Sequence, residues 1–324
     1  MTETKKQLIG NLKVGSEVET QVLVVEANLA NYSSPNRAGE QFLRLVLGDI
    51  SGTIKGIIWD IDILEESPRE GDILYVKGDV SEYHGLQIVI REAKKLDPDR
   101  VNRRLFQPVS RRDIPGMLGE LKEIITTHVS DPFLLKLLRD FFSDRDFVKR
   151  FAGSPAAKTI HHNYIGGLLE HTLEVVSLCL KFKEMYPEQI RVDLLVTGAI
   201  LHDVGKIEEY DAESFNFEMT DKGKLIGHIC LGKEMLNERI AAIEGFPPSL
   251  KLELEHIVLS HHGQREWGSP EIPRTIHAFA VFYADLVSAR LNQFVSVMQK
   301  NAIAENDWSE WDRYLDRSIY LKKP

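Results

Sequence analysis

The chain has 324 residues, of which 43% are hydrophobic and 27% are charged, and its formal net charge is −9. This length exceeds what one hydrophobic core comfortably organises, and the composition is that of an ordinary globular protein, so we expect two domains. The N-terminal segment lacks the apolar stretch of a signal peptide, and no segment approaches the roughly 18 apolar residues of a membrane span. We therefore expect a cytoplasmic protein. Its acidic balance argues against a protein that coats nucleic acid through bulk charge.

Five short segments before residue 96 alternate apolar and polar residues with the period of two that is typical of β-strands. They read EVETQVLVVEANL, QFLRLVLGDISG, TIKGIIWD, GDILYVKGDV and HGLQIVIREAKKL. A closed β-barrel leaves no exposed sheet edge, so it is the economical arrangement of so many strands in so short a region. The signature FLRLVLGDISGTIKGIIWD resembles the OB-fold of the tRNA-anticodon-binding type. We therefore predict an all-β OB-fold domain over residues 1–96 that binds nucleic acid.

The alternation also predicts which side chains lie on the outside of the barrel. If the aliphatic residues of QFLRLVL and TIKGIIWD form the core, the alternate positions face solvent. These positions hold Phe42, Arg44, Lys55 and Trp59, and the turn SEYHG adds Tyr83 and His84. Rings on which bases stack and cations that contact phosphates are typical of proteins that hold single-stranded nucleic acid. The alternative is that Phe42 and Trp59 only close the ends of the barrel.

Residues 97–115 are predicted to form a basic linker. From Arg91 to Arg112 the sequence has eight basic residues and three acidic ones. Such a run is typical of a solvated segment, and beside a nucleic-acid-binding barrel it also suggests a path for the phosphate backbone. From residue 116 to residue 324, apolar residues recur with the 3.6-residue period of amphipathic helices, so we predict an all-α second domain. Within it, Asp131 and Pro132 match a helix cap followed by a first-turn proline.

Nine of the eleven histidines fall between His161 and His277. Several of them, and two aspartates, lie on the apolar stripes of predicted helices. This set is His171, His202, Asp203, His228, His261, His262 and Asp285. One buried histidine is usually a core residue with a hydrogen-bond partner, but apolar helices do not supply partners for so many polar groups. A metal centre supplies them together, and we therefore predict a metal site.

The order of His171, His202-Asp203 and Asp285 resembles the HD superfamily of metal-dependent phosphohydrolases, which is all-helical. More narrowly, the motifs HHNYIGGLLEHTLEV, ILHDVGKIEEY and HHGQREWGSPEIP behind an OB-fold resemble the YhaM family of 3′-to-5′ exoribonucleases. The resemblance covers nearly the whole chain. It implies one metal held by His171, His202, Asp203 and Asp285, and a second held by His228, His261 and His262, with Asp203 bridging. In ADLVSARL, the acidic residue that the resemblance leads us to expect near Ser288 is missing.

The chemistry implied is hydrolysis by hydroxide formed at two metals, with Asp203 and Lys206 as the predicted catalytic residues. Lys206 lies one helical turn after His202 and is predicted to contact a phosphate oxygen; the alternative is a surface lysine paired with Glu209. His161 and His162 are predicted to contact the substrate phosphate or to protonate the leaving group. Sites rich in imidazole and carboxylate favour Mn²⁺, Fe²⁺, Co²⁺ or Zn²⁺ over Mg²⁺, and we predict Mn²⁺.

We therefore predict a 3′-to-5′ exoribonuclease that converts single-stranded RNA to nucleoside 5′-monophosphates. Single-stranded DNA is a further candidate substrate, because this hydrolysis does not use a 2′-hydroxyl. Two other functions stay open at this point: an HD phosphodiesterase or nucleotidase acting on cyclic nucleotides, cyclic dinucleotides or dNTPs with the barrel as a sensor, and a non-catalytic nucleic-acid-binding protein. The C-terminal aromatic residues indicate either packing or a contact between copies in a homo-oligomer. They are Trp308, Trp311, Tyr314 and Tyr320.

Overall fold

The computed structural model describes residues 7–32, 34–37, 39–158, 162–211, 214–301 and 306–322. The chain divides into two compact units, which are Met1–Pro108 with Glu213–Asn216 and Val109–Ala212 with Phe217–Pro324. We call them the barrel unit and the helical unit. Within the described residues, no helix is both long enough and apolar enough to cross a membrane.

Five strands close into a barrel in the order β1-β2-β3-β5-β4. The strands are β1 (Glu17–Asn31), β2 (Gln41–Asp49), β3 (Gly52–Ile58), β4 (Ile73–Glu82) and β5 (Leu86–Lys95). β3 and β5 pair in parallel, and the other neighbouring strands are antiparallel. The long strand β1 pairs with both β2 and β4, which closes the sheet on itself. This confirms the predicted OB-fold barrel.

Alternate residues of the strands fill the barrel, as the period of two predicts. Leu43, Leu45 and Leu47 of β2 are each 2% exposed or less, and they share one core with Ile54 and Ile58 of β3. The remaining positions of β2 and β3 therefore form the outer face, which carries most of the predicted nucleic-acid-binding residues.

The segment predicted as a linker over residues 97–115 is partly folded. It has 3-10 turns at Pro98–Arg100 and Arg103–Leu105, and its residues up to Pro108 belong to the barrel unit. Phe106 packs there in a small apolar cluster with Leu23 and Ile73.

Many cations of the basic run form ion pairs with carboxylates of their own unit. The pairs are Arg91 with Glu17 and Asp79, Lys95 with Glu66 and Asp72, Arg100 with Asp97, and Arg112 with Glu120. Their charge is therefore partly neutralised, which weakens the prediction of a phosphate path along this run.

The helical unit is all-α, as predicted. Its helices are α1 (Ile114–His128), α2 (Pro132–Ser143), α3 (Arg145–Gly153), α4 (Gly167–Met185), α5 (Val192–Leu201), α6 (Lys206–Glu209), α7 (Asp221–Leu225), α8 (His228–Ala241), α9 (Pro248–Ser260) and α10 (Ile276–Lys300). The Asp131 side chain accepts hydrogen bonds from the backbone amides of Phe133 and Leu134, which confirms the predicted cap of α2. This cap satisfies amides that have no partner within the helix.

Helix α5 lies in the interior of this unit. All its residues from Leu194 to Leu201 are buried, and α4, α9 and α10 pack around it. A helix that is apolar on every side is stable only when other elements surround it. Its C-terminal end therefore delivers the next two residues, His202 and Asp203, into the core.

The described residues after α10 pack on the end of that helix. Leu315 and Ile319 form a small apolar cluster with Val297. Trp308 and Trp311 remain exposed. Tyr320 is exposed as well, so packing against the helical unit comes from the aliphatic residues of this segment and not from these three rings.

Candidate metal centre and nucleic-acid surface

The seven polar side chains predicted from the helical stripes converge at one place in the helical unit. They are His171 on α4, His202 and Asp203 just after α5, His228 at the start of α8, His261 and His262 just after α9, and Asp285 on α10. In two groups, the nitrogen and carboxylate oxygen atoms lie within 4.8 Å of one another. The groups are His171, His202 and Asp203, and His228, His261 and His262.

Asp203 lies between two pairs of histidines and is 2% exposed. Its Oδ2 is 3.6 Å from His171 Nε2 and 3.4 Å from His202 Nε2. Its Oδ1 is 3.5 Å from His228 Nε2 and 3.2 Å from His261 Nε2. One carboxylate thus offers a different oxygen to each pair of imidazoles, which is the arrangement that a bridging ligand requires.

The remaining two side chains extend these pairs. Asp285 Oδ1 lies 3.1 Å from His171 Nε2, so Asp285 joins the first set. The ring of His262 lies 4.6 Å from that of His261 and 5.1 Å from that of His228, so His262 joins the second set. We call His171, His202 and Asp285 the first set, and His228, His261 and His262 the second set.

The Nδ1 atom of each of the five histidines has a hydrogen-bond partner outside the centre. The partners are Ser288 Oγ for His171, Ala199 O for His202, Glu209 Oε1 for His228, Val258 O for His261 and Trp267 O for His262. A carbonyl or carboxylate oxygen can only accept a hydrogen bond. Nδ1 therefore carries the proton in the four rings whose Nδ1 atom faces such an oxygen. In the neutral form of such a ring the Nε2 lone pair is available inside the centre, which is how metal-binding histidines are oriented.

Burial and neighbouring charges set the protonation states of the centre. Burial lowers the pKa of His171 to about 4 and that of His262 to about 3, so both rings are neutral near pH 7. Burial also disfavours the charged form of His202, but Asp203 outweighs it and raises the pKa of this ring. Lys206 and His202 hold the pKa of Asp203 well below its usual range in spite of burial. An ionised carboxylate and mostly neutral imidazoles are the forms that bind divalent metals.

Lys206 lies inside the helical unit and is 7% exposed. Its Nζ is 2.5 Å from Asp203 Oδ2. The alternative of a surface lysine paired with Glu209 is wrong, because Lys206 is buried and its ammonium contacts Asp203. The ammonium therefore stands beside the carboxylate that joins the two sets.

A glycine brings the start of α8 next to this carboxylate. A Cβ atom at Gly205 would lie 2.0 Å from the carbonyl oxygen of His228 and 2.4 Å from the amide nitrogen of Gly232. Only a residue without a side chain permits this approach of the two backbones. The glycine of HDVGK therefore has a packing role that places His228 opposite Asp203.

The structure describes one of the two histidines that are predicted to contact the substrate phosphate. His161 lies outside the described residues. The ring of His162 is buried 5.3 Å from the ring of His171, and its Nε2 is 3.4 Å from Glu174 Oε2. His162 thus lies behind a predicted ligand and faces a carboxylate, a position that does not support the predicted phosphate contact.

Sequence reasoning missed three side chains that hold the histidines in place, namely Glu174, Ser288 and Glu209. Ser288 stands at the place where an acidic residue was expected, and its hydroxyl connects His171 to the carboxylate of Glu174. Polar residues three positions along a helix from a histidine are common on any helix. The packing partner decides which of them it meets, so no signal in one sequence selects them.

The outer face of the barrel presents part of the predicted nucleic-acid surface. Trp59 is 41% exposed, and Arg44, Lys55, Tyr83 and His84 are exposed as well. Lys55 Nζ donates a hydrogen bond of 2.8 Å to the carbonyl oxygen of His84, which ties the β4–β5 turn to β3.

The prediction that Phe42 is a solvent-exposed ring is wrong. Phe42 lies on the outer face but is 4% exposed, because Tyr32 and Trp59 cover it with ring centroids at 5.0 and 4.8 Å. Tyr32, which the sequence analysis did not select, stacks beside Trp59 and carries the guanidinium of Arg37 at 3.6 Å from its ring. Trp59 is therefore the exposed member of this aromatic cluster, and Tyr32 is half-buried beside it.

The chain is similar to known proteins over nearly its whole length. A family model described as HD domain matches residues 168–290. The chain is 32% identical over 300 residues to the 3′-5′ exoribonuclease YhaM of Geobacillus sp., across 90% of this chain and 88% of that protein. It is 32% identical over 324 residues to the protein of the same name from Oceanobacillus iheyensis, across 95% of each. The second OB-fold domain of replication protein A from Methanococcus maripaludis matches 28% of this chain and 95% of that chain, with 24% identity and a TM-score of 0.25.

Proposed function

Because the chain belongs to the YhaM family of 3′-5′ exoribonucleases, we propose that it hydrolyses single-stranded RNA from the 3′ end with two divalent metal ions. The products are nucleoside 5′-monophosphates. The observation that carries the metal part of this proposal is the position of Asp203, whose two oxygens face different pairs of histidines.

The donor atoms of the centre fit such ions. Among the described residues, Asp203 Oδ1, His228 Nε2 and His261 Nε2 are buried without a hydrogen-bond partner. Buried polar atoms are costly without one, and a shared cation would satisfy all three. One ion would be held by the first set and the other by the second set, with Asp203 contributing to both. Imidazole and carboxylate donors together favour Mn²⁺ over Mg²⁺, and we propose Mn²⁺.

Two divalent cations in such a centre lower the pKa of a water molecule and neutralise the charge that develops on phosphoryl oxygens. The chain's own residues supply the rest. Asp203 would hold the first set and the second set at a fixed separation. Lys206 would offer its buried ammonium to a non-bridging phosphate oxygen. This electrostatic contact stabilises more strongly in a buried site than in water. Nothing in this chemistry uses a 2′-hydroxyl, so single-stranded DNA is a second proposed substrate.

The barrel unit would hold the strand while the helical unit removes its 3′ nucleotides. Trp59 offers a ring face for bases, and Arg44 and Lys55 offer charges for phosphates. Stacking on aromatic rings tolerates every base, so this surface suits a substrate of variable sequence.

The test is to incubate the purified protein with Mn²⁺ and a 5′-labelled single-stranded RNA, and in parallel with DNA of the same sequence. We expect a ladder that shortens from the 3′ end and releases nucleoside 5′-monophosphates. Asp203→Asn keeps the size of the side chain but removes the shared charge, so it should abolish hydrolysis. The control Glu188→Gln, on an exposed loop, should match the parent.

Three results would contradict the proposal. They are internal fragments without 3′ shortening, full activity of Asp203→Asn, and hydrolysis of cyclic dinucleotides or dNTPs in place of RNA. The last result would favour a nucleotide phosphodiesterase, whose metal chemistry would be the same.

A further inference from the structure

A line of hydrogen-bonded side chains leads from His171 away from the metal centre. His171 Nδ1 is 2.9 Å from Ser288 Oγ, and Ser288 Oγ donates a hydrogen bond of 2.6 Å to Glu174 Oε2. The same Glu174 oxygen is 3.4 Å from His162 Nε2. His171, Ser288 and His162 are all buried, whereas Glu174 lies at the edge of the unit.

The Glu174 carboxylate determines which group donates in the hydrogen bonds between it and His171. An ionised carboxylate only accepts, so the Ser288 hydroxyl must turn its proton toward Glu174. The lone pairs of Ser288 then face His171, which favours the proton on Nδ1. His171 Nε2 then turns its lone pair toward Asp203 and Asp285, where a bound cation would lie between the nitrogen and the two carboxylates.

We infer that Glu174 is a positioning residue that acts through Ser288 to favour the tautomer of His171 in which Nε2 presents its lone pair to a metal ion. The inference rests on the ligand role proposed for His171. Metal-binding histidines commonly donate their second N–H to a carboxylate. Here the carboxylate comes from α4, and the serine on α10 transmits its effect.

The helices hold this line in a fixed geometry. His171 and Glu174 are three residues apart on α4, and Asp285 and Ser288 are three residues apart on α10, so each pair shares one face of its helix. One turn further along α10, Asn292 Oδ1 accepts a hydrogen bond of 2.9 Å from the backbone amide of His162. The loop that carries His162 is thereby fastened to the same helix, which keeps its ring against Glu174.

The first experiment reads the tautomer directly in the metal-free protein by ¹⁵N NMR of labelled histidines. Asp285 Oδ1 lies 3.1 Å from Nε2 and favours a proton there, so the parent should show His171 rings protonated on Nδ1 in exchange with rings protonated on Nε2. Glu174→Gln replaces the obligatory acceptor with an amide that can also donate, so the Ser288 hydroxyl can turn toward His171. The population protonated on Nε2 should rise in Glu174→Gln and in Ser288→Ala. It should stay unchanged in Glu184→Gln, which removes the same charge from the exposed end of α4.

The second experiment measures Mn²⁺ affinity by calorimetry at pH 7.5. Loss of a residue that orients a metal ligand typically costs about 10- to 100-fold in affinity, and we expect this for Glu174→Gln and for Ser288→Ala. Since Glu174 acts only through Ser288, the double variant should be no weaker than Ser288→Ala. Ser288→Asp places a carboxylate directly on His171 and should restore affinity, also in combination with Glu174→Gln.

An unchanged tautomer in Glu174→Gln would overturn the inference, as would additive losses of affinity in the double variant. A general loss of packing would not be rescued by Ser288→Asp, so failure of that rescue also counts against it. If no variant and no parent bound Mn²⁺, the proposed function would fail, while the tautomer measurement would still decide the role of Glu174.

Discussion

The buried histidines of the centre should make the metal-free protein sensitive to acid. Burial lowers the pKa of His171 to about 4, whereas a histidine in an unfolded chain has a pKa of about 6.5. Between these values the unfolded state binds the proton and the folded state does not. The free energy of unfolding therefore falls as the pH falls from about 6.5 toward 4, and this contribution is constant above that window.

The measurement is urea unfolding of the protein in chelator at pH 7 and at pH 5. His171→Gln removes the titrating group, so its loss of stability between the two pH values should be smaller than the parent's by about 1–2 kcal/mol. His262→Gln should reduce the loss in the same direction, because burial lowers the pKa of His262 to about 3. Equal pH dependence in the parent and in both variants would contradict this account.

At the scale of single residues, the sequence was sufficient to select the seven side chains that converge. Imidazoles and carboxylates on apolar stripes are conspicuous because they have no reason to be there without a shared partner. Phe42 was misjudged for a different reason. Alternation predicts the face of a strand, but it does not predict that Tyr32 and Trp59 cover that face.

At the scale of elements, the close approach of the residues after α5 to the start of α8 depends on Gly205. In Gly205→Ala the new Cβ would overlap the backbone of His228 and Gly232, and backbone atoms cannot rotate away as a side chain can. We expect a loss of about 1–3 kcal/mol in the free energy of unfolding, which is typical of overpacking, together with weaker Mn²⁺ binding because His228 moves.

Gly119 provides the matched control for this substitution. It lies on the exposed face of α1, and a Cβ atom there meets nothing within 4 Å. Gly119→Ala should therefore leave Mn²⁺ binding unchanged and stabilise the protein by up to about 1 kcal/mol, because alanine is the better helix former. Urea unfolding and calorimetry distinguish the two variants. Similar behaviour of both would show that the approach at Gly205 is not tight.

The elements themselves were largely predictable, because each has a local cause. A period of two marks the barrel strands, and Asp131 followed by Pro132 marks the start of α2. The segment over residues 97–115 was harder. Its 3-10 turns are held by packing of Phe106 with Leu23 and Ile73, which lie far away in the sequence, and basic composition carries no information about such contacts.

At the scale of the whole molecule, the net charge of −9 must be reconciled with an anionic substrate. Bulk attraction is absent, so binding has to come from local groups that the phosphate backbone and the bases can reach. On the barrel unit the groups that we propose for this role are the exposed ring of Trp59 and the exposed cations Arg44 and Lys55. Under this proposal their contribution should grow with the length of the strand, because a very short substrate would engage only the proposed metal centre.

Trp59→Ala tests this division between the two units. Stacking on an aromatic ring is worth about 1–3 kcal/mol per base, so the Kd for a single-stranded 15-mer RNA should rise about tenfold. Hydrolysis of a dinucleotide should keep the parent rate, because the centre is untouched. Trp308→Ala removes an exposed indole from the C-terminal segment, 58% exposed against 41% for Trp59, and it should change neither quantity. If Trp59→Ala slowed the dinucleotide as much as it weakened binding of the 15-mer, the barrel would serve the chemical step itself, and the proposed division would be wrong.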